Sequence, residues 1–324
     1  MDNFCDHTFA LFDHEFADHA SHMCMIKDRA RCMGFFEQIE KHCKDKMVVD
    51  FGAGTGVLGV YAALKGAKEV WFVENQINLH ETIDQVCAAN NVTNYNIVAD
   101  VSELPNHYFD VCVSETLGDV GIERNFTRIF SDLIARNPGC VAIPDRINLY
   151  YSTLHLDEVE KEKRYIENFP VNLKIDMLYP LPGLRPTRID SQQLDNQVEL
   201  FSLDLKNYPT DLDLRKIIEV PHPDNHNFMV FHWKAYSEGE QFVSNTPERD
   251  PNNFNHWCQL GFHIPKDKTL GIRYDVHTGP FVLCGNPHQD FIDNPKKYDE
   301  MYYEPSPDQF VQQPKQDSII KWTL

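Results

Sequence analysis

The stretch VVDFGAGTGVLGVYAALKGAKEVWFVEN, residues 48–75, constrains the fold more than any other. A β-branched run ends at Asp50, glycines follow at 52, 54 and 56, and an apolar helical pattern begins at once. Glycine accepts positive φ and lets the backbone approach a ligand closely, so the stretch predicts a strand, a tight turn and a helix around a nucleotide-like cofactor. Asp50, Gly52, Gly54 and Gly56 are the first candidate cofactor residues. Gly54, Gly56 and Gly59 also fit the dinucleotide spacing GxGxxG, which leaves NAD or FAD open on the glycines alone. Two acidic neighbours add information. Glu74 closes the next apolar run, where it is placed for ribose hydroxyls, and Asp100 ends a third, where it is placed for an adenine.

The surrounding pattern supports a parallel sheet. Between residues 46 and 144 the short runs MVVDFG, EVWFVE, YNIVAD, FDVCVSE and CVAIPD alternate with helical segments, the signature of βαβ units with helices on both faces. Residues 1–45 read as helices covering the cofactor site, with Met25, Ile26, Met33, Phe36 and Ile39 at mixed three-to-four spacing. After Pro144 the pattern changes. RINLYYSTLHLDEV, QVELFSLDLKN, NFMVFHWKAYSE, WCQLGFHIP and TLGIRYDVHTG are rich in aromatic and β-branched residues and divided by Pro, Asn and Gly, which predicts an antiparallel β domain over 145–285. A Pro-rich apolar stretch at about 164–190 interrupts it as an arm. Residues 286–324 read as a tail ending in the apolar segment IIKWTL.

Composition narrows the chemistry. A 324-residue chain with 42% hydrophobic residues can bury real cores. No run of about eighteen apolar residues predicts a membrane span, and MDNFCDHTF lacks the basic and apolar regions of a signal peptide, so a cytoplasmic or nuclear protein is expected. Nine scattered cysteines without a CxxC pair suit reduced thiols, and His7, His14 and His19 are too irregular for metal ligation, so no metal is expected. A net charge of −19 argues against a nucleic-acid groove and favours an Arg-rich protein partner.

The stretch VSETLGDVGIERN, residues 113–125, places Glu115 and Glu123 eight apart around glycines, directly after a strand-like run. SETLGDVGIE resembles the double-glutamate loop of protein arginine methyltransferases, whose pattern is SExMGxxLxxE. Further elements follow in family order. AIPDRINLYY resembles the family's FPDR strand, and IDSQQL at 189–194 its VDPxQL element. Asn255, His256 and Trp257 resemble its THW loop, while HMCMIKDRAR supplies His22, Met25, Lys27, Asp28 and Arg31 for its HxxM and KDxxR runs. The glycine loop with Asp50, Glu74 and Asp100 is similar to that of Rossmann-type methyltransferases dependent on S-adenosylmethionine. The resemblance implies a Rossmann-type domain, an antiparallel β-barrel domain with an inserted helical dimerisation arm, and obligate dimerisation. It implies cofactor contacts by His22, Met25 and Arg31, the last on the methionyl carboxylate. It makes Glu115, Glu123 and His256 the catalytic candidates.

The chemistry explains a pair of carboxylates. A guanidinium is cationic near neutral pH and a poor nucleophile; two carboxylates can hold it, bias its charge away from the attacking nitrogen and aim that nitrogen at a sulfonium methyl. The sequence departs from the family pattern in two places. Its glutamates stand eight rather than nine apart, with Gly121 where a bulky residue is usual, and FDHEF puts Phe12 and Phe16 at the positions of the family's tyrosines. These departures resemble a prozyme: a subunit weak or inactive alone that forms a hetero-oligomer with a catalytic sister, or otherwise a homodimer. An active arginine methyltransferase is the alternative. A small-molecule methyltransferase would leave the β domain, arm and NHW loop unexplained.

Overall fold

The computed structural model describes residues 19–118, 121, 126–168, 185–189, 191–194, 196–208, 213–219, 226–246, 256–264, 269–275, 279–284 and 319–320. Two helices come first, α1 (His19–Lys27) and α2 (Arg29–His42). Asp28 divides them: its extended backbone ends α1, and its carboxylate caps α2 by accepting the Arg31 N–H at 3.1 Å. The buried face of α2 is formed by Cys32, Phe35 and Ile39 with Gly34. Met33, placed by the sequence periodicity on the apolar face, is 43% exposed. A mixed three-and-four spacing fits two adjacent stripes, and Cys32, Phe35 and Ile39 define the one that packs.

All five runs predicted between 46 and 144 are strands: β1 (Met47–Phe51), β2 (Glu69–Val73), β3 (Tyr95–Val98), β4 (Val111–Ser114) and β5 (Val141–Ile143). They pair in parallel in the order β3-β2-β1-β4-β5. The connecting helices are α3 (Val57–Leu64), α4 (Ile77–Ala89) and α5 (Phe126–Ala135). The order reverses between β1 and β4, so right-handed crossovers put α3 and α4 on one face and α5 on the other, and a crevice opens at the carboxyl ends of β1 and β4. The glycine loop and Glu115 both lie at that switch point.

The second part begins with β6 (Arg146–Leu154) and α6 (Asp157–Glu167). It continues with β7 (Arg185–Thr187), β8 (Val198–Asp204), β9 (Asp213–Glu219), β10 (Phe228–Ser237) and β11 (Glu240–Ser244). The last strands are β12 (Gln259–His263), β13 (Thr269–Asp275), β14 (Gly279–Cys284) and β15 (Ile319–Ile320). They form two antiparallel sheets, one in the order β7-β12-β10-β6-β8 with β11 on β10, the other β15-β14-β13-β9. The antiparallel β domain predicted from sequence is therefore present. Ile319 and Ile320 of the terminal IIKWTL pair with Leu283 and Val282, so the described part of this segment adds an edge strand to its own second sheet. Residues 169–184, the main part of the expected arm, lie outside the described residues, whereas its flank packs: Ile189 and Leu194 join Leu154, Val159, Phe228 and Val230 in a small apolar cluster.

Alternation along β6 and β10 sends Ile147, Leu149, Tyr151, Met229, Phe231, Trp233 and Ala235 to a core shared with Val48, Val49 and Val113 of the parallel sheet. The two parts are thus joined by one hydrophobic core across the crevice.

Candidate functional site

The floor of the site is the glycine loop. Gly52, Gly54 and Gly56 have φ of 72°, 55° and 79°, which confirms the turn expected from their spacing and explains why no side chain stands there. A Cβ on Gly54 would lie 2.6 Å from the His22 imidazole, so the α1 histidine covers the loop through space that only glycine leaves. Gly52 is likewise pressed against Thr116 on the acidic loop. The candidate acids hold this floor from beneath. Glu74 is buried and accepts the Gly54 N–H at 2.7 Å through one oxygen and the Gln76 N–H at 2.8 Å through the other. Asp50, also buried, accepts the Gly59 N–H at 2.8 Å and thereby ties β1 to the first turn of α3. Burial pushes its carboxyl up to about 7, against the pull of that N–H. Asp100, by contrast, is exposed two residues beyond β3. It caps a 3₁₀ turn, accepting the Ser102 N–H at 2.8 Å, while Glu103 returns to the Asp100 N–H at 3.0 Å.

The wall of the site is charged. Glu115 follows β4 into the crevice and forms an ion pair with Arg31 in which both side chains are nearly buried, at 4% and 10% exposure. Burial pushes the Glu115 carboxyl upward, and Arg31 and the Leu117 N–H draw it back. Arg31 also donates to the Met25 carbonyl at 3.2 Å, an oxygen that accepts the Asp28 N–H at 3.2 Å as well, so Met25 enters the site through its backbone. The Nε of Arg31 is buried without a hydrogen-bond partner among the described residues. A guanidinium that turns one nitrogen to Glu115 and leaves Nε unsatisfied has donor capacity for a second anion, which fits the carboxylate of an amino-acid-bearing cofactor. Behind Arg31 stands Asp28. It accepts the Arg31 N–H and, through its second oxygen, the His256 N–H at 2.9 Å, with His256 Nδ1 at 3.9 Å.

The structure thus brings together His22, Met25, Arg31, Asp50, Gly52, Gly54, Gly56, Glu74 and Glu115 at the switch point, and joins His256 to them through Asp28. Asp100 stands beyond the end of β3. Glu123 lies outside the described residues, as do Phe12, Phe16, His7, His14 and Asn255. Sequence reading did not single out Trp233 or Asn245. Trp233 stands in an apolar strand, where a buried indole needs an acceptor, and that requirement was the available signal.

Comparisons with known proteins bear on this arrangement. The family described as "Ribosomal protein L11 methyltransferase (PrmA)" matches residues 29–133, the segment from α2 to α5. Protein arginine N-methyltransferase 1 of Caenorhabditis elegans is 30% identical over 85% of this chain and 84% of its own length. Protein arginine N-methyltransferase 2 of Dictyostelium discoideum is 28% identical over 61% of this chain, a match that spans 42% of that longer relative. Among solved structures, the Trypanosoma brucei PRMT1 enzyme-prozyme heterotetrameric complex with AdoHcy superposes with a TM-score of 0.65 at 17% identity, covering 84% of this chain and 95% of the other. Protein arginine methyltransferase 10 of Arabidopsis thaliana gives 0.63 at 14%, covering 84% and 96%. With the glycine loop, the Arg31–Glu115 pair and the second β domain in the same chain, these relationships place it in the protein arginine N-methyltransferase family.

Proposed function

We propose that this chain is a prozyme-type subunit of a protein arginine methyltransferase complex, weak or inactive alone, which supports a catalytic sister subunit acting on Arg-rich proteins in the cytoplasm or nucleus. The observation that carries this reading is the buried pair between Arg31 and Glu115. Glu115 is the carboxylate that a substrate guanidinium needs, and the chain's own guanidinium occupies it. Breaking such a pair leaves a buried charge uncompensated, which costs on the order of 3–5 kcal/mol. An incoming arginine must offset that penalty before it is held at all. The loop shortened by one residue and the phenylalanines at 12 and 16 support the same reading.

The residues fit S-adenosylmethionine, which supplies an electrophilic methyl on a sulfonium when bound. Arg31 would hold its carboxylate through the unpartnered Nε. Glu74 would take the ribose hydroxyls with the lone pairs its two backbone donors leave free. His22 would close over the glycine loop, and Asp100, exposed beyond β3, would face the adenine.

The buried Nε of Arg31 also favours a second reading, an active enzyme. A carboxylate arriving at Arg31 would draw the guanidinium from Glu115 and free it for substrate. His256, fixed to Asp28, would then keep the barrel wall in register with that exchange.

Methyl transfer from labelled S-adenosylmethionine to an Arg- and Gly-rich peptide separates the two. The expected result is little transfer by the isolated chain and a several-fold gain when a catalytic family member is added, with a heteromer visible by sizing and light scattering. Robust turnover by the isolated chain would establish the active enzyme instead, and the absence of any complex would remove the prozyme reading.

A further inference from the structure

The acidic loop is gripped from outside its own domain. Trp257 Nε1, from the loop before β12, donates to the Leu117 carbonyl at 2.8 Å, and Trp233 Nε1, from β10, donates to the Gly118 carbonyl at 2.9 Å. The two indoles meet edge to face with centroids 4.7 Å apart, and they are 2% and 0% exposed. One residue brackets both. Asn245 takes the Trp233 backbone N–H on Oδ1 at 2.9 Å and donates through Nδ2 to the carbonyl of Cys258, the neighbour of Trp257, at 3.1 Å. On the loop side, the Gly118 carbonyl also accepts the Gly121 N–H at 2.9 Å, closing a turn. Gly121 has a φ of 83°, and a Cβ there would lie 2.9 Å from Trp233 Cγ, so the glycine lets the shortened loop close directly onto the indole. Leu117 then links the clamp to the chemistry, because its carbonyl receives the Trp257 indole while its N–H points to the Glu115 carboxylate.

We propose that Trp233 is a positioning residue for Glu115: its indole N–H, braced by Asn245 and Trp257, fixes the Leu117–Gly118 backbone and so aims the carboxylate that receives a guanidinium. The proposal rests on the reading of Glu115 as the guanidinium-binding group of an arginine methyltransferase site. A displacement of about 1 Å at such a group costs on the order of a hundredfold in rate, so an anchor on the opposite domain has functional weight. It also explains how the described start of the loop, Glu115 to Gly118, is held in place. Two consecutive carbonyls, of Leu117 and Gly118, are stapled to the antiparallel part, with Gly121 making room for the staple.

The test uses the full chain and Trp233→Phe, which keeps the ring against Trp257 and deletes the donor. Hydrogen exchange at amides 115–118 is expected to rise about tenfold, with exchange in β1 and β4 unchanged. Affinity for an Arg- and Gly-rich peptide, measured with S-adenosylhomocysteine present, is expected to fall about tenfold, while the affinity for S-adenosylhomocysteine stays within twofold. Unchanged loop exchange would overturn the proposal. A wild-type chain that binds no arginine peptide at all would remove the functional reading and leave loop exchange to decide the clamp. Should Trp233→Phe loosen the whole fold, benzothienylalanine at position 233, which keeps the indole's shape without its N–H, takes its place under the same criteria.

Discussion

Asp50 shows how a position read from sequence as a cofactor residue holds a structural bond in the fold. It stands where a cofactor residue is expected, yet its carboxylate is spent on the Gly59 N–H at the start of α3. Burial raises its carboxyl to about 7, with repulsion from Glu74 and Glu115 adding to the effect. In the unfolded chain the same group titrates near 4. Between about pH 4 and pH 7 the folded chain therefore binds a proton that the unfolded chain has released, so this group's contribution to stability falls as pH rises through that window and is flat above it. Asp50→Asn keeps an oxygen for Gly59 and removes the titration. Unfolding free energies from urea melts between pH 4.5 and 7.5 are expected to decline less steeply for the variant, the difference amounting to roughly 3 kcal/mol; parallel curves would refute the assignment.

At the scale of elements, glycine sets how closely helices approach their neighbours. A Cβ on Gly59 would lie 2.3 Å from the Phe72 ring, so α3 rests on β2 at a distance only glycine permits. On Gly34 it would lie 2.2 Å from the Phe242 carbonyl oxygen, where α2 meets β11. The neighbours differ in what can yield. Gly59→Ala is expected to lower stability by roughly 1–3 kcal/mol despite alanine's better helix propensity, and Phe72→Leu in the same chain is expected to recover much of that loss. Gly34→Ala meets backbone, so trimming the Phe242 side chain is expected to recover nothing. Thermal melts of the two single and two double variants check this directly. The helical periodicity around these positions was legible in the sequence; the choice of Phe35 over Met33 for the core was not, because it depends on where β11 lies against α2.

For the whole molecule, the shared core decides how it unfolds. Val48, Val113, Ile147, Trp233 and Phe262 belong to one cluster that crosses from the parallel sheet to the antiparallel one, and the two indoles add hydrogen bonds across the same boundary. Domains that move independently meet through limited, rather polar interfaces, whereas here one continuous apolar cluster crosses the boundary. Scanning calorimetry is accordingly expected to show one cooperative transition with matching calorimetric and van't Hoff enthalpies. Two resolved transitions would mean that the parts are energetically separate.

The sequence by itself determined the local architecture. The three glycines forced a turn at 52–56, the five apolar runs became the parallel strands, and the change of pattern at Pro144 marked the start of the antiparallel part, because backbone preference and burial periodicity act over a few residues. β9, β11 and β14 escaped such a reading, since charged or glycine-containing segments such as DLRKIIE and EQFVS become strands through the partners they pair with. Only the tertiary structure decided what the site residues do. Arg31 and Glu115 are 84 positions apart, Gly118 and Trp233 are 115, and Leu117 and Trp257 are 140. The first forms when α2 packs over the parallel sheet and the other two when the antiparallel part docks on it, and no local pattern encodes which buried donor will meet which acceptor.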